Sequence, residues 1–256
     1  DLNYDATGMR EAMIAEMDWW VANAGIDGFR CDVAGFVPID FWNTAITTLR
    51  ANNGPLFMLA EWEDPALIEA GFNAVYGWEF HHIMNEVAKG HKSVSAIAEY
   101  AAKCDTVWPA ETMKMYFNTN HDENSWNGTV EERMGDLGNA MYILASMMKR
   151  SFPLIYSGQE VGLNHRYPFF SKDTIGLDWS KTHPQSDFFA QMLALKHEHQ
   201  ALFNGELGYD MALKIDTATN SMRIWRGEEG ETDVVMAIFE FSEIPGAFEA
   251  PENFDL

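Results

Sequence analysis

Three acidic residues follow apolar runs: Asp32 comes after Ile26 to Cys31, Glu61 after Leu56 to Ala60, and Asp122 shortly after Met115-Tyr116-Phe117-Asn118. A carboxylate can act as nucleophile, general acid or general base, and its surroundings decide which. Arg30 stands two residues before Asp32, so on an extended strand the two side chains point to one face. A fixed cation there keeps the carboxylate ionised and aimed, ready to attack. Glu61 sits between an apolar run and Trp62, surroundings that raise a carboxyl pKa and let it hold a proton as a general acid. One charged and one protonated carboxylate is the division of labour that glycoside cleavage uses. Singly, a carboxylate after a strand is more often a helix cap or loop residue, and Arg30 with Asp32 is as readily a plain ion pair. Three together, one beside Arg30 and one beside His121, point to catalysis.

These groups need elements that bring separate strand ends into one place. Met9, Met13, Met17, Trp20, Val21 and Ala24 recur at helical spacing and Gly25 follows as a stop, so a helix leads into the run that ends at Asp32. The unit repeats. Phe41 to Arg50 reads as a helix, Asn52-Asn53-Gly54-Pro55 as a turn and Leu56 to Ala60 as a strand. Further strands are expected at Asn73 to Tyr76, Met115 to Asn118 and Pro153 to Tyr156, with helices over about 80–103, along Leu137 to Met148, and around Phe188, Met192 and Leu195. Alternating strands and helices predict right-handed crossovers and a parallel sheet, which collects reactive groups at its carboxyl edge. Near Gly205 the texture changes. Met222 to Arg226 and Val234 to Phe239 flank the turn-rich Gly227-Glu228-Glu229-Gly230, which predicts an antiparallel hairpin opening an all-β domain.

Composition limits the partners. The chain has 256 residues with 17 Lys plus Arg against 39 Asp plus Glu, a net charge of −22 that repels phosphate backbones and anionic membranes. Nucleic acid is therefore not an expected partner, and a neutral substrate is compatible. No run approaches the ~20 apolar residues of a membrane span. Two cysteines, Cys31 and Cys104, are too few for a disulfide scaffold. The first residues carry neither a start Met nor a basic, apolar leader, so the natural N-terminus is expected to be absent, and the C-terminus to be cut as well.

Four segments carry a family resemblance. Gly28-Phe29-Arg30-Cys31-Asp32-Val33-Ala34 resembles the nucleophile motif of the α-amylase family, glycoside hydrolase family thirteen, and Ala60-Glu61-Trp62 resembles its acid/base motif. Phe117-Asn118-Thr119-Asn120-His121-Asp122 is similar to the family's Asn-His-Asp motif, and Pro153 to Gly162 to its last-strand motif. The four occur in the family's order. The resemblance implies an α/β fold: the fourth to eighth strands of a TIM (β/α)8 barrel over residues 1–204, then the start of a truncated β-domain over 205–256. It implies Asp32 as nucleophile, Glu61 as acid/base and Asp122 as the third carboxylate, with Arg30 and His121 beside them. The implied activity is retaining hydrolysis of α-glucosidic bonds in starch-like glucans or maltooligosaccharides. A retaining pair lies ~5–5.5 Å apart, an inverting pair ~6.5–9.5 Å. Transglycosylation or isomerisation would use the same residues, whereas a non-catalytic sugar-binding relative would have lost a carboxylate.

The resemblance implies no cofactor for the chemistry. Family members often bind a structural Ca²⁺, but the segment that would supply most of its oxygen ligands has no counterpart in this sequence, nor has the family's third-strand motif. The fragment alone is accordingly expected to be unstable and inactive, because a barrel opened at its fourth strand has two unpaired edges. Among the aromatics, Trp62 and Trp126, each within four residues of a candidate carboxylate, are expected to contact substrate. His81-His82 and His197-Glu198-His199 lack metalloprotease spacing and are read as helix-surface residues. Cys31 should point to the face opposite Asp32, which argues against a thiol mechanism.

Overall fold

The computed structural model describes residues 2–174, 179–227 and 233–241. In chain order it comprises α1 (Thr7–Ala24), β1 (Gly28–Cys31), α2 (Ile39–Asn53), β2 (Phe57–Ala60), α3 (Pro65–Glu69), β3 (Ala74–Tyr76), α4 (Trp78–Ala88) and α5 (Ser95–Val107). Then follow β4 (Met113–Tyr116), α6 (Val130–Met134), α7 (Gly138–Met147), β5 (Ser151–Pro153) and α8 (Pro184–Glu198), and finally β6 (Met211–Asp216), β7 (Ser221–Arg226) and β8 (Val235–Glu240).

β1 to β5 form one parallel sheet whose strands lie in chain order, and β6 to β8 form a separate antiparallel sheet. The parallel α/β architecture expected from the alternation is thus present. Strand order never reverses, so every crossover steps the same way and, being right-handed, lays its helices on the same face. The two-residue repeat then sorts the side chains. Cys31, Met58, Ala60, Val75 and Tyr116 join the large core beneath the helices. Leu59, Ala74, Tyr76, Met115 and Phe117 form a second cluster on the other face, where Phe152 packs against them.

That second face is concave. Three strand spacings separate β2 from β5, about 14 Å in a flat sheet. Yet the rings of Phe57 on β2 and Phe152 on β5 are 5.6 Å apart, edge to face. The sheet must bend toward them.

Several expectations shift. The helix expected over about 80–103 is two, α4 and α5, parted at Gly90, whose φ of 73° suits a residue without a side chain. The fifth strand pairs at Ser151 to Pro153 rather than from Pro153 to Tyr156, because Lys114 and Tyr116 of β4 are in register with Ser151 and Pro153. α1 ends at Gly25 as expected, with Gly25 N–H returned to Val21 O. Trp20, however, is exposed, packed edge-on against Trp19, while Met13 and Met17 face the core. The hairpin near the C-terminus is present as β7 and β8, but residues 228–230 of its turn and everything after 241 lie outside the described residues. No helix among the described residues is long and apolar enough to cross a membrane.

Candidate active site

Asp32 and Glu61 leave adjacent strands at one level. Arg30 is in register with Leu59 and Cys31 with Ala60, so the next residue of each strand, Asp32 and Glu61, emerges at the same carboxyl edge. By parity both lie on the concave face that holds Leu59 and Tyr76, and so does Arg30. Cys31 lies on the opposite face, as expected. It is buried, and burial pushes its thiol up to about 12.

Arg30 bridges the two acids. Its Nη1 donates to Asp32 Oδ1 at 2.6 Å and its Nη2 pairs with Glu61 Oε1. Nε donates to the Tyr76 hydroxyl at 3.1 Å, and the guanidinium carbon lies 5.7 Å from the Tyr76 ring centroid. The fork is therefore braced from β3 while it holds groups from β1 and β2.

The same geometry separates the two proton affinities. The hydrogen bond from Arg30 is the main reason that Asp32 lies below the usual carboxylate range; slight burial opposes it, and Glu61 and His121 add to it. Glu61 is buried, and burial lifts it above that range against the pull of the Val33 N–H and of Arg30. The Val33 amide donates to Glu61 Oε2 at 2.9 Å. Val33 itself sits at φ 44° and ψ 44°, a left-handed conformation that β-branched residues rarely adopt. The sharp turn there aims its amide at Glu61.

His121 and Asp122 arrive on the segment after β4. Asn120 Oδ1 accepts the backbone N–H groups of Asp122 and Glu123, at 3.0 and 2.8 Å, which fixes the turn. His121 Nε2 then lies 3.8 Å from Glu61 Oε1 and 3.6 Å from Asp122 Oδ2. The structure thus brings Asp32, Glu61, Asp122, Arg30 and His121 into one cluster.

Aromatic rings flank it. Trp62 packs over Gly35, where an added Cβ would fall 2.2 Å from the indole, and it touches the exposed Phe36 at 5.0 Å between centroids. Trp126 is exposed and packs on Phe169 at 5.0 Å; Phe169 also stacks on His121 at 6.2 Å. Phe170, 87% exposed, completes that shelf. Sequence reasoning did not select Tyr76, Phe36, Phe169 or Phe170 for the site. Tyr76 had a usable signal, its place at the end of a strand beside Glu61; Phe169 is one of several aromatics that could stack on a sugar face, with nothing local to single it out, and Phe36 and Phe170 had no signal.

One sequence expectation is overturned. His81 is not a helix-surface residue: it is fully buried, because α4 is covered on two sides and packs His81 against Phe117 at 4.8 Å. His82 is exposed. His199 bonds Asp233 at 2.6 Å.

Fold and cluster together define a parallel α/β protein with a carboxylate centre at the carboxyl edge of its sheet. The family model of the alpha-amylase catalytic domain matches residues 1–200, and the chain belongs to that family. A cyclomaltodextrinase from a Bacillus species is 24% identical over 249 residues, 93% of this chain and 42% of the relative. A maltogenic alpha-amylase from Bacillus acidopullulyticus is 28% identical over 161 residues, 60% of this chain and 27% of the relative. Among solved structures, a maltogenic alpha-amylase from Thermotoga neapolitana superposes with a TM-score of 0.77 at 23% identity, covering 94% of this chain and 55% of that one. That likeness shows the fold. The chain spans less than half the length of these two curated relatives.

Enzymes of this family need no cofactor for their chemistry. Among the described residues, one group of three potential metal donors, Glu61, His121 and Asp122, has atoms within 4.8 Å of one another. It includes an imidazole and belongs to the carboxylate cluster, unlike the six to eight oxygens that calcium takes. That group does not fit a calcium cage.

Proposed function

We propose that this chain carries the carboxylate machinery of a retaining glycosidase that cleaves α-glucosidic bonds in starch-like glucans or maltooligosaccharides. The observation that carries the reading is Arg30 holding Asp32 and Glu61 on one guanidinium while their proton affinities diverge. Asp32, exposed and ionised, attacks the anomeric carbon; Glu61, buried and protonated, gives its proton to the leaving oxygen. The glycosyl ester on Asp32 is then hydrolysed by water that Glu61 deprotonates, so each carboxyl returns to its starting state. Two acids held on one guanidinium suit the close spacing of a retaining pair.

Asp122 grips sugar hydroxyls and favours the distorted ring, with His121 and Arg30 as neighbouring contacts. Trp62 and Trp126 offer ring faces to the glucan. Neutral aromatic shelves beside the carboxylates suit an uncharged polyol.

The chain-ordered, concave parallel sheet supports reading residues 1–204 as an arc of a (β/α)8 barrel, strands four to eight. Residues 205–256 then open a β-domain, of which β6 to β8 are the described part.

In the whole protein, Asp32→Ala should abolish release of reducing sugar from maltoheptaose; unchanged turnover sinks the assignment. Products longer than maltoheptaose would replace hydrolysis with transfer.

A further inference from the structure

The Asp122 side chain meets His121 Nε2 at 3.6 Å, and the turn beneath it is held by other residues. The turn that carries it continues into a single π-helical turn, Glu123–Asn127, whose first residue is buried although its neighbour Asp122 faces the cluster. Glu123 Oε2 meets His81 Nε2 at 3.0 Å, and Glu123 Oε1 accepts from Asn127 Nδ2 at 3.1 Å. His81 reaches back: its Nδ1 lies 3.0 Å from Phe117 O, and because a carbonyl and a carboxylate both only accept, Nδ1 carries one proton and Nε2 must carry the other to bond Glu123, an imidazolium that burial disfavours and Glu123 favours. The ring thus spans from the end of β4 to the start of the π-helical turn, bracketing the five residues that include His121 and Asp122.

A second clamp closes on the same segment. Arg133, buried on α6, donates from Nη2 to Asn118 O at 2.7 Å, from Nε to Gly128 O at 3.0 Å and from Nη1 to Asn85 Oδ1 at 2.9 Å. Asn85, held in that orientation, turns its Nδ2 to His81 O at 2.9 Å and lies 3.0 Å from His81 Nε2. Arg133 therefore fixes both ends of the loop, residues 118 and 128, and also the residue that braces His81. None of these four side chains contacts Asp32, Glu61 or Asp122 in the hydrogen bonds and ion pairs described.

We infer that His81, Asn85, Glu123 and Arg133 form a buried positioning frame that sets the pose of the His121–Asp122 turn, so that they govern turnover through Asp122 without touching substrate. The inference rests on the reading of Asp122 as a sugar-gripping carboxylate. The frame is specific in kind: Glu123 is an acid one residue from Asp122, yet its carboxylate is spent on His81 and Asn127 rather than on the cleft.

A double-mutant cycle in the whole protein tests it, with maltoheptaose as substrate. Glu123→Gln keeps the shape and weakens the bond to His81. It should lower kcat by about ten- to a hundredfold, the scale of a small misplacement of a reacting group, with KM moved less than about threefold. Asn127→Ala, a change at an exposed residue with little bearing on folding, should lower kcat in the same direction by a smaller factor. In Asp122→Asn both changes should have no further effect, because the frame acts through the group already removed. Losses that multiply in the double variants, or a full kcat in both single variants, overturn the frame. Full activity in Asp122→Asn overturns the reading of Asp122 instead. Should Glu123→Gln fail to fold by circular dichroism, the Asn127→Ala arm of the cycle decides.

Discussion

The backbone N–H of Val33 donates to Glu61 Oε2 at 2.9 Å, so the residue after one acid holds the other. That bond and the Arg30 fork tie the ends of β1 and β2 into one unit. Burial of Glu61 nevertheless prevails and keeps its proton affinity high, while Asp32, exposed beside Arg30, keeps its own low.

A bell-shaped pH profile follows. As the proposed nucleophile Asp32 has to be ionised, so kcat/KM rises with pH through a value below the usual carboxylate range. As the proposed general acid Glu61 has to be protonated, so kcat/KM falls as pH rises through a value above that range. The two groups are coupled, and the limbs report the pair rather than either residue alone. Initial rates across pH check this; a profile with no alkaline limb in the acid-to-neutral range would remove Glu61 as the acid.

Arg30→Gln removes the cation that depresses Asp32. The acid limb should move to higher pH, and kcat/KM should fall by about a hundredfold or more as both carboxyls lose their shared partner. Arg30→Lys restores charge but not the planar fork, and should recover only part of the loss. Equal activity in the Lys variant and the parent would show that the fork geometry is unimportant.

Gly35 allows Trp62 its place, since a Cβ there would fall 2.2 Å from the indole. Gly35→Ala should turn the ring aside and raise KM for maltoheptaose by about three- to tenfold, the worth of one aromatic stack, with kcat within about twofold. An unchanged KM would take Trp62 out of the binding surface.

The strand ends were legible in the sequence because parallel sheets bury both faces, which leaves short apolar runs that stop where a polar group appears. Asp32, Glu61 and Asp122 stood out for that reason, and Arg30 by the two-residue repeat. His81 was not legible. A helical pattern shows which residues share a face but not how many faces are covered, and α4 buries Phe80 and Met84 on one side while His81 and Asn85 turn to the Asp122 loop. The break between α4 and α5 did have a signal, the Lys89-Gly90 stop inside the apolar pattern. Phe169 and Phe170 join the site only through the long loop after β5, whose course no local pattern sets.

Cys31 gives a direct check on the sheet's two faces. It adjoins Asp32 in sequence yet is buried under the helices, with its thiol pushed up to about 12. Cys104 is buried too, and its thiol is raised by burial. An aromatic disulfide reagent at neutral pH should therefore leave the native protein unlabelled and react with both thiols after denaturation. Rapid labelling of native Cys31 would place it on the cleft side and undo the parity that puts Asp32 and Glu61 together.

An ion pair between Lys114 and Glu63 holds the chain just past β2 behind Glu61. Lys114 on β4 is fully buried on the helix side, its Nζ 2.6 Å from Glu63 Oε1 and 3.6 Å from the Trp108 ring centroid. Glu63 Oε2 also accepts the N–H of Glu79 at 2.7 Å, at the positive end of α4. Lys114→Met leaves the largely enclosed Glu63 without its cation and should destabilise the fold by up to about 3–5 kcal/mol. Adding Glu63→Leu removes the stranded charge and should recover most of that loss. It should not recover all of it, because α4 then lacks the acceptor for its first turn, a deficit of about 1 kcal/mol. Urea unfolding at constant slope measures both steps. A single-variant loss below about 1 kcal/mol would mean that the pair is solvated. Because Glu63 lies two residues beyond Glu61, the single variant should also lower kcat before it unfolds, and the double variant should restore it.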